Sequence, residues 1–256
     1  MADGQRGRSE RTRRLVRSDY ALDPVPLAKA LIGATIVRLT PAGRLAARIV
    51  ETEAYLGPDD RAAHSFGARR TARTEPMFGE PGTSYVFQTY GHHFLFNVVC
   101  GRPGWPVAVL VRAGEPVEGL DAMEAHRLAA HAPLRSRPIR VTDLCSGPAK
   151  LARALDIGPA LNGVDLAEHP AFWIEGPLGS VPEADLANTK RIGVDYAREW
   201  ADRPLRWYLR GSPHVSRPLI PAPAPTPTPT PDTAPGAGTP APAGPSTPRT
   251  RRPRGA

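Results

Sequence analysis

Hydrophobic and polar residues alternate with a period of two from Ile49 to Tyr55. In a strand this puts Glu51, Glu53 and Tyr55 on one face and Val50, Thr52 and Ala54 on the other. A Gly57-Pro58 turn follows, then a short helical segment that presents His64. Two readings of the acidic face stay open. If the apolar residues pack inward, the acids form a solvated surface; if the face lines a cleft, they carry chemistry.

The same patterning yields the neighbouring elements. Residues 23–33 predict a short helix with Asp23 as cap, proline at its start and Gly33 at its end. Strands are expected over 34–39 and 44–55, joined by Thr-Pro-Ala-Gly. Residues 57–82 read as a loop that carries Arg61, Arg69, Arg70 and Arg73, either plain solvated surface or a phosphate-contacting segment. Two β-rich runs, 84–90 and 93–99, make a hairpin whose tip is Tyr90-Gly91-His92. A large ring there stands where turns usually keep small polar residues. Asn97 is an amide among apolar neighbours and needs partners, either as a structural residue or as the reading head of a pocket. Residues 106–112 form a nearly continuous apolar strand that ends in Arg112. Helices are expected over 114–127 and, with Ser146 as cap and Pro148 in the first turn, up to 155. A helix start with Lys150 nearby is either an ordinary cap or a phosphate site. Further strands are expected at 172–175, 191–194 and 205–209.

Strands and helices mix without βαβ regularity. We therefore expect an α+β fold: a single domain with a mostly antiparallel, curved sheet, surrounding helices and a protruding β-hairpin. The domain is placed at residues 19–216. A basic tail (1–18) and a Pro/Thr/Ala-rich tail with a basic end (217–256) are expected to be disordered.

Charge sharpens that division. Six arginines against two acids in the first tail, and five against one in the last, account for the whole formal charge of +8. The domain itself is balanced, so the tails are the candidate polyanion-binding arms. Cys100 and Cys145 show neither disulfide nor metal-ligand spacing, which fits a reducing compartment. With no apolar run of membrane-span length and no signal peptide, a cytoplasmic protein is expected, nucleoid-associated if bacterial.

There is no P-loop, no dinucleotide glycine motif, no zinc spacing and no nucleophile elbow. The remaining candidate chemistry is a carboxylate acting as general base in an aromatic-lined cleft, with neither metal nor cofactor expected.

Several motifs, in order, carry a resemblance. They are Val50-Glu-Thr-Glu-Ala-Tyr-Leu-Gly-Pro-Asp-Asp-Arg-Ala-Ala-His-Ser65, Met77-Phe, Pro81-Gly-Thr-Ser-Tyr-Val-Phe87 and Tyr90-Gly, followed by Leu110-Val-Arg112-Ala, Leu144-Cys-Ser-Gly-Pro-Ala-Lys150 and Pro204-Leu-Arg-Trp-Tyr-Leu-Arg-Gly-Ser-Pro213. Together they resemble the alkyladenine (3-methyladenine) DNA glycosylase family over residues 20 to 216.

The resemblance implies a monofunctional enzyme of base excision repair. It would flip 3-methyladenine, 7-methylguanine and, as a further candidate, hypoxanthine from duplex DNA and hydrolyse the N-glycosidic bond. It implies that Tyr90 wedges into the duplex, with Gly91, His92, Arg69, Thr71, Arg73 and Lys150 also meeting DNA. Tyr55 would stack on one side of the base, with Phe87 and His64 on the other and Tyr85 and Leu110 completing the pocket. Glu53 would activate the attacking water, Arg112 would help hold that water or a phosphate, and Asn97 would exclude normal guanine. Glu51 matches no catalytic position and is read as structural. Phe87 stands where some relatives carry tyrosine, so a hydroxyl contact is absent and the range for neutral lesions is open. No lysine occupies a nucleophile position, so water is the expected nucleophile and no strand-cleaving step is expected.

Two other classes are kept. A metal-dependent nuclease would use Glu51, Glu53, Asp59, Asp60 and His64 as ligands. A non-catalytic DNA-binding module would recruit protein partners through the proline-rich tail. The expected partner is double-stranded DNA with damaged purines, met by a monomer.

Overall fold

The computed structural model describes residues 13–129 and 138–217. A first hairpin is formed by β1 (Thr35–Thr40) and β2 (Gly43–Tyr55), a second by β3 (Ser84–Thr89) and β4 (His93–Val99). Between β4 and β2 runs β5 (Ala108–Glu118). On the far side β6 (Phe172–Glu175) borders β1, while β7 (Leu186–Thr189) pairs with β8 (Arg206–Leu209). All these pairings are antiparallel, giving the curled sheet of an α+β domain, as the sequence predicts.

The longest strand, β2, is paired on both edges. One edge meets β5; the other meets β1 over its first half and β8 over Glu51–Glu53. The acids therefore lie inside the sheet. Two bulges meet at this point: Val50 is skipped on β2 and Arg112 on β5, on either side of the Glu51–Ala113 pair. A bulge adds twist and re-aims a side chain, and here it turns Arg112 toward the acids.

The helices are α1 (Arg17–Tyr20), α2 (Pro24–Ala30), α3 (Leu120–Ala129), α4 (Val141–Leu144) and α5 (Pro148–Ala154). Of these, α2 and α5 lie against the sheet, and α3 packs on α5. Leu27, Leu31, Ile36, Leu45, Ile49, Val109, Val111 and Leu151 are fully buried between these layers. Each such side chain contributes about 1.5–3 kcal/mol.

Four expectations need correction. Residues 13–18 belong to the body, because Leu15 is fully buried and its N–H donates to the Ile174 carbonyl at 2.9 Å. Residues 1–12 and 218–256 of the two tails lie outside the described residues. Residues 114–118 extend β5 rather than begin a helix, since ladder pairing to β2 outweighs their weak helical preference. The change of element falls at Gly119, whose φ of 76° only glycine adopts freely and where an added Cβ would strike Leu45. Residues 191–194 are not a strand; the Arg191 guanidinium and the Ile192 N–H bond the Asp60 and Glu53 carboxylates instead, and the strand lies just before them at β7. Finally, Gly147 rather than Ser146 caps α5, and the Ser146 hydroxyl accepts from Lys150 Nζ at 3.1 Å. Asp23 does hold the N-cap position of α2, but its side chain makes no capping bond.

Candidate active site

Glu51 and Glu53 are fully buried, which removes the solvated-face reading. Burial of two carboxylates is costly unless each is paired and hydrogen-bonded. Both are. Oε1 of Glu51 accepts from Arg112 Nε at 3.0 Å, Arg206 Nε at 2.6 Å and Ser216 Oγ at 2.8 Å. Its Oε2 accepts the Ser216 N–H at 2.7 Å. For Glu53, Oε1 accepts the Ile192 N–H at 2.8 Å and lies 3.2 Å from Arg112 Nη1, while Oε2 accepts from the Tyr55 hydroxyl at 2.9 Å. Arg112 thus bridges the two acids.

A second buried pair supports this layer. Arg191 donates to both oxygens of Asp60, at 2.5 and 2.8 Å, and its guanidinium lies 4.7 Å from the centroid of the Tyr55 ring. Burial and the charge of Glu53 push the Tyr55 phenol well above its ordinary range, so it stays a neutral donor to the carboxylate.

Above Glu53 opens a cavity of about 340 Å³, within the size range of small-molecule sites. Tyr55, His64, Tyr85, Phe87, Asn97, Leu110 and Arg112, all chosen from sequence, line it together with Tyr90. Glu53 does not line it directly, but its three partners, Tyr55, Arg112 and Ile192, do. The His64 and Phe87 rings meet edge to face at 4.5 Å. Burial, reinforced by the charge of Arg73, pushes His64 down to about 4, so its ring is neutral near pH 7. Its Nδ1 lies 2.8 Å from the Tyr85 hydroxyl, which burial pushes up to about 12. Asn97 donates to the Tyr85 carbonyl at 3.1 Å, supplying the partner that a buried amide needs.

The β3–β4 hairpin ends at the mouth of this cavity. Tyr90 is 86% exposed and adopts φ 48°, rare for a side-chain-bearing residue. Gly91 follows at φ 75°, and its carbonyl accepts from Gln88 Nε2 at 2.5 Å. The His92 and His93 rings lie against each other at a 53° tilt, with centroids 3.9 Å apart. Arg73 lies over the Phe87 ring, 5.2 Å from its centroid, and donates to the Gln88 carbonyl at 3.3 Å, tying the arginine loop to the hairpin.

Gly91, His92, Arg69, Thr71, Arg73 and Lys150 do not line the cavity. Arg69 is exposed, and Thr71 is engaged in its own turn, its N–H donating to Thr74 Oγ1 at 2.9 Å. Lys150 Nζ donates to the Ser146 hydroxyl at 3.1 Å beside the start of α5. The nuclease ligand set does not assemble. Glu51 and Glu53 face Arg112, Asp60 faces Arg191, and among the described residues no three His, Cys, Asp or Glu side chains converge on a metal position.

Sequence reasoning missed Ile192, Arg206, Ser216 and Tyr196. Ile192 acts through its backbone, which no side-chain pattern reveals. Tyr196, 67% exposed, is a further aromatic on the cavity wall, its hydroxyl donating to the Ala62 carbonyl at 3.3 Å.

Comparison with known proteins bears on this geometry. The family model for methylpurine-DNA glycosylase matches residues 18–213. The chain belongs to that family. It is 48% identical over 194 residues to the DNA-3-methyladenine glycosylase of Homo sapiens, covering 75% of this chain and 64% of that protein. With the Mus musculus protein of the same name it shares 46% over 194 residues, 75% of this chain and 58% of the relative. A protein of Desulfitobacterium hafniense (strain Y51) is 44% identical over 206 residues, 80% of this chain and 98% of its own length. The chain thus spans about three fifths of the two mammalian relatives and nearly all of the bacterial one. Among the described residues no helix is long and apolar enough to cross a membrane.

Proposed function

We propose that the protein is a monofunctional DNA glycosylase that flips alkylated purines from duplex DNA and hydrolyses their glycosidic bond with an activated water. One observation carries the reading. A fully buried carboxylate, Glu53, is held by two hydrogen-bond donors and one ion pair whose residues line an aromatic cavity, and an exposed tyrosine stands at that cavity's mouth. The relatives named above, which act on 3-methyladenine by name, supply the substrate class.

The division of roles follows from chemistry. Tyr90 enters the duplex and replaces the stacking lost when the base leaves, a cost of a few kcal/mol. The extruded base lies between Tyr55 on one side and His64 with Phe87 on the other. Electron-rich faces favour alkylated, cationic purines. Glu53 accepts a proton from the water that attacks the sugar C1′, and its charge opposes the positive charge developing on the sugar. Arg112 orients Glu53 from the side of Glu51. Neutral His64 serves the base edge through hydrogen bonding rather than charge. Asn97 presents its amide where the 2-amino group of normal guanine would need room, a rejection that relies on buried polar groups left unpaired.

The test is base release from methylated duplex DNA and, separately, from a duplex with one hypoxanthine, both in chelator. Free 3-methyladenine and an intact abasic strand are expected. Release that requires a divalent cation, or a nicked product, would refute the reading. Release from methylated DNA without release of hypoxanthine would assign the missing hydroxyl at Phe87 a role in neutral-lesion recognition.

A further inference from the structure

We infer that Ser216, together with Glu51 and Arg206, positions Arg112 against Glu53, so that a residue next to the proline-rich tail helps set the rate of base release. The inference rests on the function proposed above and extends it to residues outside the cavity.

Arg112 sits on a bulge, where the strand's pleat no longer dictates the direction of its side chain. Its guanidinium is placed by partners instead. Nε donates to Glu51 Oε1 at 3.0 Å, and Nη1 then faces Glu53 at 3.2 Å. The direction of Arg112 is thus only as fixed as the Glu51 carboxylate. That carboxylate is held from two sides. Arg206, fully buried and itself donating to Thr189 Oγ1 at 3.2 Å, takes Oε1. Ser216, 2% exposed, takes both oxygens, its N–H on Oε2 at 2.7 Å and its hydroxyl on Oε1 at 2.8 Å. The same hydroxyl lies 3.5 Å from Arg112 Nη2, so one side chain touches both the acid and the arginine it orients. Arg206 alone would balance the charge of Glu51. It would not stop the carboxylate from rotating about its terminal bond, and the two Ser216 bonds do. A small hydroxyl residue at this position is therefore a positioning element rather than a filler.

The test uses the full chain. Ser216→Ala removes the hydroxyl and keeps the backbone N–H; Ser216→Thr restores the hydroxyl. Single-turnover release from methylated duplex is measured beside affinity for a duplex carrying an abasic-site analogue. The Ala variant is expected to release base about tenfold more slowly, the worth of one hydrogen bond to a charged group, at unchanged affinity. The Thr variant is expected to recover most of the rate. Wild-type rate in Ser216→Ala would overturn the inference. So would a loss of folded protein or of affinity that matches the loss of rate, since that is what a purely structural role produces. Active wild type with an unaffected Ser216→Ala refutes this inference alone, whereas inactive wild type refutes the proposed function and this inference with it.

Discussion

The charged layer under β2 and the tip of the β3–β4 hairpin are opposite kinds of surface. In the layer, Glu51, Glu53, Arg112, Asp60, Arg191 and Arg206 are buried and hydrogen-bonded to one another or to backbone. At the tip, a tyrosine 86% exposed stands on a three-residue turn with left-handed backbone at Tyr90 and Gly91. A buried ionic layer is fixed in place and intolerant of change, because each lost partner leaves a charge without compensation. An exposed ring has little to lose from substitution in the free protein and much to lose once it must replace a base in a stack. Chemistry needs the first environment and entry into the duplex needs the second. The 340 Å³ cavity lies where the two meet.

That contrast can be broken in order of effect. Glu53→Gln is expected to lower single-turnover release by about 10²–10⁴, the worth of a general base, while lesion binding persists. Asp60→Ala leaves Arg191 buried without its carboxylate and is expected to cost about 3–5 kcal/mol in urea unfolding, because both partners are fully buried. No tip substitution should approach that figure. Tyr90→Ala is expected to leave the unfolding curve unchanged and to weaken binding to the lesion duplex by about 1–3 kcal/mol, as loss of one stacking ring does.

A pH effect separates the regions more gently. His64 is held at about 4 by burial and the charge of Arg73, against an ordinary value of 6.5. The unfolded chain therefore binds more protons than the folded one between these values, so stability rises with pH across that window and is lost as pH falls through it. His64→Gln should flatten that part of the curve, and a slope unchanged by this substitution would contradict the burial of a neutral imidazole. The smallest effect is expected from deleting residues 1–12 and 218–256. The salt dependence of DNA binding should become shallower with base release intact, and an unchanged slope would leave the tails without a role in DNA attraction.

How much of this the sequence discloses depends on whether a residue acts through its pattern or through its place. Glu53 and Tyr55 were legible because alternation in a strand groups side chains by face, and Tyr90 because a ring in a turn is out of character; the choice of Glu53 over Glu51 and the role of His64 came from the resemblance. Tyr85, Phe87, Leu110 and Arg112 lie in motifs of the resembled family, whereas Asn97 stood out as an amide among apolar neighbours. Ile192 was hidden because a backbone N–H carries no residue signature, and its segment looked like a strand. Ser216 and Arg206 were hidden because they reach Glu51 across more than 150 positions of chain. Residues 114–118 misled for a related reason: they were joined to the helical run that follows, while the register with β2 makes them the end of a strand. Leu15 was lost among arginines, though its side chain is fully buried.

The most direct test of the division between tip and layer measures two events on one lesion duplex. Base extrusion is followed by a fluorescent base analogue beside the lesion, and base release by product analysis, for the wild type, Glu53→Gln and Tyr90→Ala. Glu53→Gln is expected to extrude the base normally and release almost none. Tyr90→Ala is expected to extrude poorly and to regain release when the lesion is already unpaired. Release at wild-type rate by Glu53→Gln, or normal extrusion by Tyr90→Ala, would contradict that division.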